Sequence, residues 1–372
     1  MAAESARAPQ QSKWQPARAG AAAFGMLWPF ALGLAVAWCL QRVLPAGNYS
    51  TRIALDAGIA MIMAVSLNIV NGWTGQFSIG HAGFMTLGGY VAGAITLYGS
   101  LLLWGDSLRH GGFYGAGAWL FVAACILGGL FAAGAGYIVG LPSLRLRGDY
   151  LAIVTLGFGE IVRVMLQQTG KVIETADSLR AAGRSDLWPP PVGGSIGFDG
   201  VPKYTNVFWA YAFLTLTVVV AYRLKYSSLG RAMLSIREDE FAAQAMGVNI
   251  ARTKVRAFVL AAFFAGTAGG LLAHQSGMIL TPKDAGFQRS FDYLIMVVLG
   301  GRGSISGVML AAAILTALPE VLRDIDQYRL IVYALLLVIM MIVRPQGLFG
   351  IHEIWDYFPR RSRSTSPETS GR

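Results

Sequence analysis

Residues 225–249 read KYSSLGRAMLSIREDEFAAQAMGVN, a charged, helix-forming segment set between two apolar runs. Across the wider connector the bases Arg223, Lys225, Arg231, Arg237, Arg252, Lys254 and Arg256 outnumber the acids Glu238, Asp239 and Glu240. Negative charge suits a helix N-terminus, so the acidic triplet predicts a helix start, and Gly247 predicts its stop. Phe241, Ala242, Ala243 and Ala245 give that short helix a small apolar surface. A charged element of this kind on a protein that is otherwise apolar has two readings: a solvated loop, or a dock for a separate protein.

The rest of the chain is apolar. Of 372 residues 55% are hydrophobic and 13% charged, with mean hydropathy +0.52, whereas soluble domains carry about a quarter charged residues. Ten runs are candidate membrane spans: 24–40, 53–71, 78–103, 116–141, 150–166, 207–223, 256–273, 289–301, 304–320 and 328–343. A span needs about 20 helical residues, and the runs at 150–166 and 289–301 are short or carry charge. The predicted fold is all-α, a polytopic transmembrane helical bundle of about ten spans with both termini cytoplasmic. Residues 1–23 form a disordered cytoplasmic tail, 24–343 the membrane domain and 344–372 a cytoplasmic tail. The loop 167–206 then lies outside and the loop 224–255 inside. Charge supports this parity: Arg145, Arg147, the connector, Arg302 and the Arg344–Arg363 tail fall inside, while the four bases of the outer loop are matched by four acids. The first run imitates a signal peptide but is too long, carries Trp28 and Trp38, and lacks a small-residue cleavage pattern before Pro45. A net charge of +10 is absorbed by these topology-setting loops, which argues against nucleic acid as a partner.

The second span runs into SLNIVNGWTGQFSIGHAGFMTLGGY, residues 66–90. Its glycines are too frequent for an ordinary lipid-facing helix, each costing about 1 kcal/mol relative to Ala. One reading is close helix packing. The other is a broken helix beside a pathway, with Gly75, Gln76, Ser78, Gly80 and His81 offering polar groups or close approach. A shorter echo, LGGRGSISG at 299–307, brings Ser304 to the same side. His81 and His274 have no second ligand at metal spacing and read as hydrogen-bonded core residues. Glu160 and Arg163 are spaced to pair on one helix face, and Asp292 sits in the eighth run. Cys39 and Cys125 read as packing residues. No metal site, hydrolytic constellation or phosphate-binding loop is present in the sequence, so no catalytic residue is predicted.

Five blocks in order (66–84, 144–161, 228–249, 297–307 and 343–350) resemble the permease subunits of branched-chain amino acid ABC transporters. The resemblance covers about 53–350. It implies a multi-pass subunit of a bacterial inner (plasma) membrane, among membrane lipids, that binds no cofactor itself. Its implied partners are a second homologous permease, two cytoplasmic ABC ATPases that hydrolyse ATP, and a periplasmic amino-acid-binding protein. It assigns Arg231, Arg237, Glu238, Asp239, Glu240, Ala242, Ala243 and Gly247 to the segment that couples to the ATPase. Permeases for urea or short amides share much of the pattern, and an ion-gradient-driven secondary transporter is the competing class. Residues 171–192, including Trp188, look inserted relative to the family.

Overall fold

A computed structural model describes residues 17–44, 48–112, 115–143, 150–173, 175–181, 190–322, 328–343, 347–350 and 353–354. The regular structure among the described residues is helical. Its elements are α1 (Ala17–Val43), α2 (Tyr49–Asn68, prolonged by a π turn, Ile69–Trp73), α3 (His81–Leu103), α4 (Ala116–Ser143), α5 (Tyr150–Gln167) and α6 (Ala176–Ala181). After these come α7 (Val207–Tyr226), α8 (Ser228–Glu238), α9 (Glu240–Ala245), α10 (Ile250–Ala273), α11 (Phe287–Gly300), α12 (Ile305–Val321) and α13 (Arg329–Val343). Among the described residues the pairings outside helices that resemble a sheet are two isolated bridges, Phe198 with Leu280 and Thr205 with Gln275.

Each of the ten predicted runs falls on a helix. Among the described residues six helices, α2 with its π turn, α3, α4, α5, α7 and α10, are long and apolar enough to cross a membrane. The 14 residues of α11 and 15 of α13 rise only about 21–23 Å at 1.5 Å each, short of a hydrocarbon core of roughly 30 Å. The first helix begins at Ala17, upstream of the expected boundary at residue 24. Arg145, Arg147 and Trp188 lie outside the described residues, as does most of the C-terminal tail.

The centre of the bundle is α2, which is buried on every face from Ala57 to Asn68. A helix that is apolar all round is the mark of a core position. Around it α10 packs against α3 and α4, and this contact is made backbone to backbone. A Cβ added at Gly88 would sit 2.3 Å from Gly266 Cα, and one at Gly269 would sit 1.7 Å from the Met85 carbonyl oxygen. Small residues give such close approach in lipid, where burial of apolar surface supplies no drive between helices. Outward faces carry exposed Leu130, Phe131, Ile138, Ile153 and Met165, side chains that hydrocarbon accepts. The far-side loop folds back onto the bundle: Phe198 N–H donates to Leu280 O at 2.8 Å, and its ring stacks on Tyr90 at 5.6 Å.

The glycine contact sets a contrast. Gly269→Ala forces backbone apart and is expected to cost more than the roughly 1–3 kcal/mol of ordinary overpacking. Gly134→Ala, where a Cβ meets nothing within 4 Å, is expected to be neutral or to gain up to about 1 kcal/mol of helix propensity. Thermal unfolding of the two purified variants in detergent checks the difference; equal midpoints would remove the close-packing argument.

Candidate coupling and translocation site

The connector folds by local rules. The Ser227 hydroxyl accepts from Gly230 N–H at 3.1 Å and starts α8, which buries Gly230, Met233 and Ile236, one stripe at helical spacing. The chain turns extended at Asp239 (φ −155°, ψ 115°), whose carboxylate accepts from the N–H groups of Phe241 at 2.8 Å and Ala242 at 3.0 Å. Asp239 therefore ends α8 and caps α9, so the short helix expected from the acidic triplet to Gly247 is preceded by a second one, with a corner between them. The end of α9 is a Schellman motif: Val248 N–H donates to Ala243 O and Gly247 N–H to Gln244 O, both at 3.0 Å. Gly247 has φ +85°, a conformation that costs a side-chain-bearing residue roughly 1–2 kcal/mol. Asn249 then caps α10 by accepting from Arg252 N–H.

The predicted break in the second span is also present. After the π turn, residues 75–80 are irregular and α3 restarts at His81. Gly75 has φ +68°, and a Cβ on Gly80 would lie 1.9 Å from the Thr155 carbonyl oxygen. The freed backbone is satisfied by side chains, as irregular structure inside a membrane protein requires. Ser78 N–H donates to Asn71 Oδ1 at 3.2 Å, Ile79 N–H to Thr155 Oγ1 at 3.1 Å and Ala82 N–H to Ser290 Oγ at 3.2 Å. Buried His81 shares a 2.8 Å hydrogen bond with Ser66 Oγ. Gln76 Oε1 accepts from the Thr74 hydroxyl at 3.3 Å. The Asn71 amide nitrogen and the Ser78 hydroxyl are buried without a partner among the described residues.

These two pieces meet at the 301–304 turn. Arg237, at the end of α8, donates to Gly72 O at 2.8 Å and Arg302 O at 3.2 Å. Gly303 N–H donates to Asn68 Oδ1 at 2.9 Å, and Gly303 O accepts from Trp73 Nε1 at 3.2 Å and from Lys225 Nζ at 2.7 Å. Lys225 also pairs at 2.5 Å with Glu353, which is 1% exposed. Glu353 lies at the start of α12, where partial positive charge favours an anion. It accepts from Ile305 N–H and Ser306 N–H, both at 3.0 Å, and from the hydroxyls of Ser304 and Ser306. Burial alone would raise its pKa, but the Ile305 N–H, the Lys225 ammonium and the Ser306 donors outweigh it and hold the carboxyl below the usual glutamate range.

The predicted residues thus divide. Ala243 is buried, and Arg237 turns inward to hold the break, so both face this chain's own bundle. Glu240 pairs with Lys254, and Arg231 donates to Tyr226 O at 3.1 Å. Glu238, Asp239, Ala242 and Gly247 are exposed. Beside them stand Phe241, 71% exposed, and Met246, 85% exposed; Met246 escaped the sequence reading, although its place before the Gly stop was a usable signal. Gly75, Gln76, Ser78, Gly80 and His81 share the break with Ser304 close by across the turn, and Asn68, Asn71 and Trp73 are the partners not singled out. Nothing local marked Lys225 and Glu353 as a pair. Away from the site, Arg163 pairs with Glu160 at 2.6 Å as spaced. His274 hydrogen-bonds through both ring nitrogens, to Thr96 Oγ1 at 2.7 Å and Gly270 O at 2.6 Å.

The family described as branched-chain amino acid transport system, permease component, matches residues 49–343. The chain is 35% identical over 333 residues to the high-affinity branched-chain amino acid transport system permease protein LivM of Salmonella typhimurium, covering 85% of this chain and 73% of that protein. The LivM protein of Escherichia coli K12 matches to the same extent. The permease protein LivH of Salmonella typhimurium is 27% identical over 308 residues, covering 81% of this chain and 94% of that protein. No solved structure matches the chain.

Removing one partner of a buried ion pair costs about 3–5 kcal/mol. Lys225→Met and Glu353→Gln are each expected to lower the unfolding midpoint sharply, and the double variant to lose less than the sum of the two, since neither side then strands the other's charge. Because the native Glu353 pKa is depressed, its stabilisation is complete above the unfolded value of about 4.3. It is lost as pH falls through the lower native value. Thermal scans across acid pH check the sign: Glu353→Gln should flatten that part of the profile.

Proposed function

The chain belongs to the family of permease components of branched-chain amino acid transport systems, and from that we propose that it forms half of the membrane pathway of an ABC importer for branched-chain amino acids. The carrying observation is the corner between α8 and α9. It presents Phe241 and Met246 to the outside while Arg237, on the same element, holds the broken end of α2. An exposed aromatic and an exposed methionine on a rigid, triply capped connector suit insertion into a cleft of a partner. The partner is a cytoplasmic ATPase, since the sequence carries no phosphate-binding loop of its own. The connector is then cytoplasmic, the chain crosses about ten times, and both termini lie inside a bacterial inner membrane.

The other partners are a second, similar permease, a second ATPase and a periplasmic binding protein that delivers substrate. Similarity to relatives named as two different permeases of one kind of system, LivM and LivH, supports a pair of related subunits. Their names favour branched-chain amino acids over urea or short amides. A gradient-driven transporter would need free titratable groups as a relay. Of the candidates His81, Glu160 and Asp292, His81 is engaged by Ser66 and Glu160 by Arg163; Asp292 by itself makes no relay, which weighs against that class.

In the assembled importer, Phe241→Asp with Met246→Asp should cut ATP-driven leucine uptake at least tenfold and abolish co-purification of the ATPase. The pairing of the two permeases should survive. Normal uptake by this variant would sink the docking role; it is read by filter assay in proteoliposomes alongside a pull-down.

A further inference from the structure

A cavity of ≈ 430 Å³ lies between α2, α10, α11 and α12, at the ends of these helices farthest from the connector. That size falls in the range of small-molecule sites, about 300–1,000 Å³. Its lining mixes polar Asp56, Gln288, Arg289, Asp292 and Thr316 with apolar Ile59, Leu272, Met296 and Leu315.

The polar groups are not all satisfied by the protein. Asp56 accepts from Gln275 Nε2 at 2.7 Å, and Arg289 Nε contacts Asp284 at 3.3 Å. Asp292 makes no hydrogen bond or ion pair among the described residues, although it is part-buried. The Thr316 hydroxyl is buried without a partner among the described residues. Among the lining side chains two carboxylates (Asp56, Asp292) stand against one guanidinium (Arg289), which is itself shared with Asp284. An excess of carboxylate, with a cation, an unpartnered hydroxyl and aliphatic side chains in the same cavity, is complementary to an ammonium, a carboxylate and an apolar side chain on one small molecule.

We propose that this cavity is a transit site for an aliphatic α-amino acid, with Asp292 and Asp56 receiving its ammonium, Arg289 and the Thr316 hydroxyl its carboxylate, and Ile59, Leu272, Met296 and Leu315 its side chain. The proposal rests on the reading that the chain carries branched-chain amino acids, and adds the place and the residues. It also joins the two ends of the molecule. Asp56 and Gly72 stand on one continuous helix, separated by about 24 Å at 1.5 Å per residue, so the element that forms the cavity wall is the one Arg237 grips at its other end.

The test uses the assembled importer, with partner permease, ATPases and binding protein, in proteoliposomes and radiolabelled leucine. Failure of the wild-type assembly to take up leucine would refute the functional reading itself, whatever the variants do. With wild-type uptake established, Asp292→Asn is expected to lower uptake at least tenfold in an importer that still assembles, and Asp292→Glu to restore most of it. Thr316→Val, nearly isosteric, is expected to raise the half-saturating leucine concentration at least threefold. Uptake by Asp292→Asn within twofold of wild type overturns the site. If Asp292→Asn does not assemble, an unchanged half-saturating concentration in Thr316→Val overturns it instead.

Discussion

The Gly303 carbonyl accepts two hydrogen bonds inside the bundle, from the Trp73 indole at 3.2 Å and the Lys225 ammonium at 2.7 Å. Its own N–H is taken by Asn68 at 2.9 Å. Without water nearby, a backbone group left unpaired costs several kcal/mol, so a non-helical turn in this position persists only where side chains complete it. Gly301 and Gly303 sit at φ +105° and +102°, conformations that fit glycine. The turn is therefore a fixed point, over-determined by the end of α2, the end of α7, the end of α8 and the C-terminal segment through Glu353.

From that point the rest follows by short steps. The Asn68 and Trp73 side chains reach across to Gly303 where α2 widens into a π turn, a feature that clusters at functional sites. Because Arg237 occupies the Gly72 carbonyl, α8 is pinned to the same place. Because Lys225 is neutralised by Glu353, a lysine can be nearly buried at the end of α7. The mutual dependence is strong: each charge here is satisfied by a group from a different element, so removing one partner strands another.

Much of this was legible from the sequence where the rule was local. The ten apolar runs land on helices because continuous hydrophobicity is a property of each run alone. Asp239 as a helix start and Gly247 as a stop are readable because capping acts within four residues. The corner at Asp239 was missed for a related reason: a capping residue can begin one helix only by leaving another, and charge pattern does not announce the helix that ends. The break at 74–80 was legible from glycine frequency, and its purpose stood open between packing and a pathway. What could not be read is the tertiary knot. Lys225 and Glu353 are 128 positions apart, and Asn68 and Gly303 are 235 apart; no periodicity or spacing links such pairs. Ala243 failed to read as an inward residue because an alanine carries the same signal on either face of a short helix.

The knot also decides how a push on α9 would be spent. Two stripe residues, Met233 and Ile236, are buried beneath α8, at about 1.5–3 kcal/mol each. The two hydrogen bonds of the Arg237 guanidinium add about 1.5–3 kcal/mol each. Peeling α8 off the bundle thus opposes a load with several kcal/mol, whereas bending α2 at its π turn breaks no regular α-helical ladder, since that ladder is already interrupted. Of the two, the turn yields first. The helices above it are held backbone to backbone through Gly88, Gly266 and Gly269 and have little room to shear. A displacement entering at the connector is then taken up first at the π turn, and only what exceeds that bend passes along the rigid part of α2, toward the end where α2, α10, α11 and α12 leave polar groups incompletely paired.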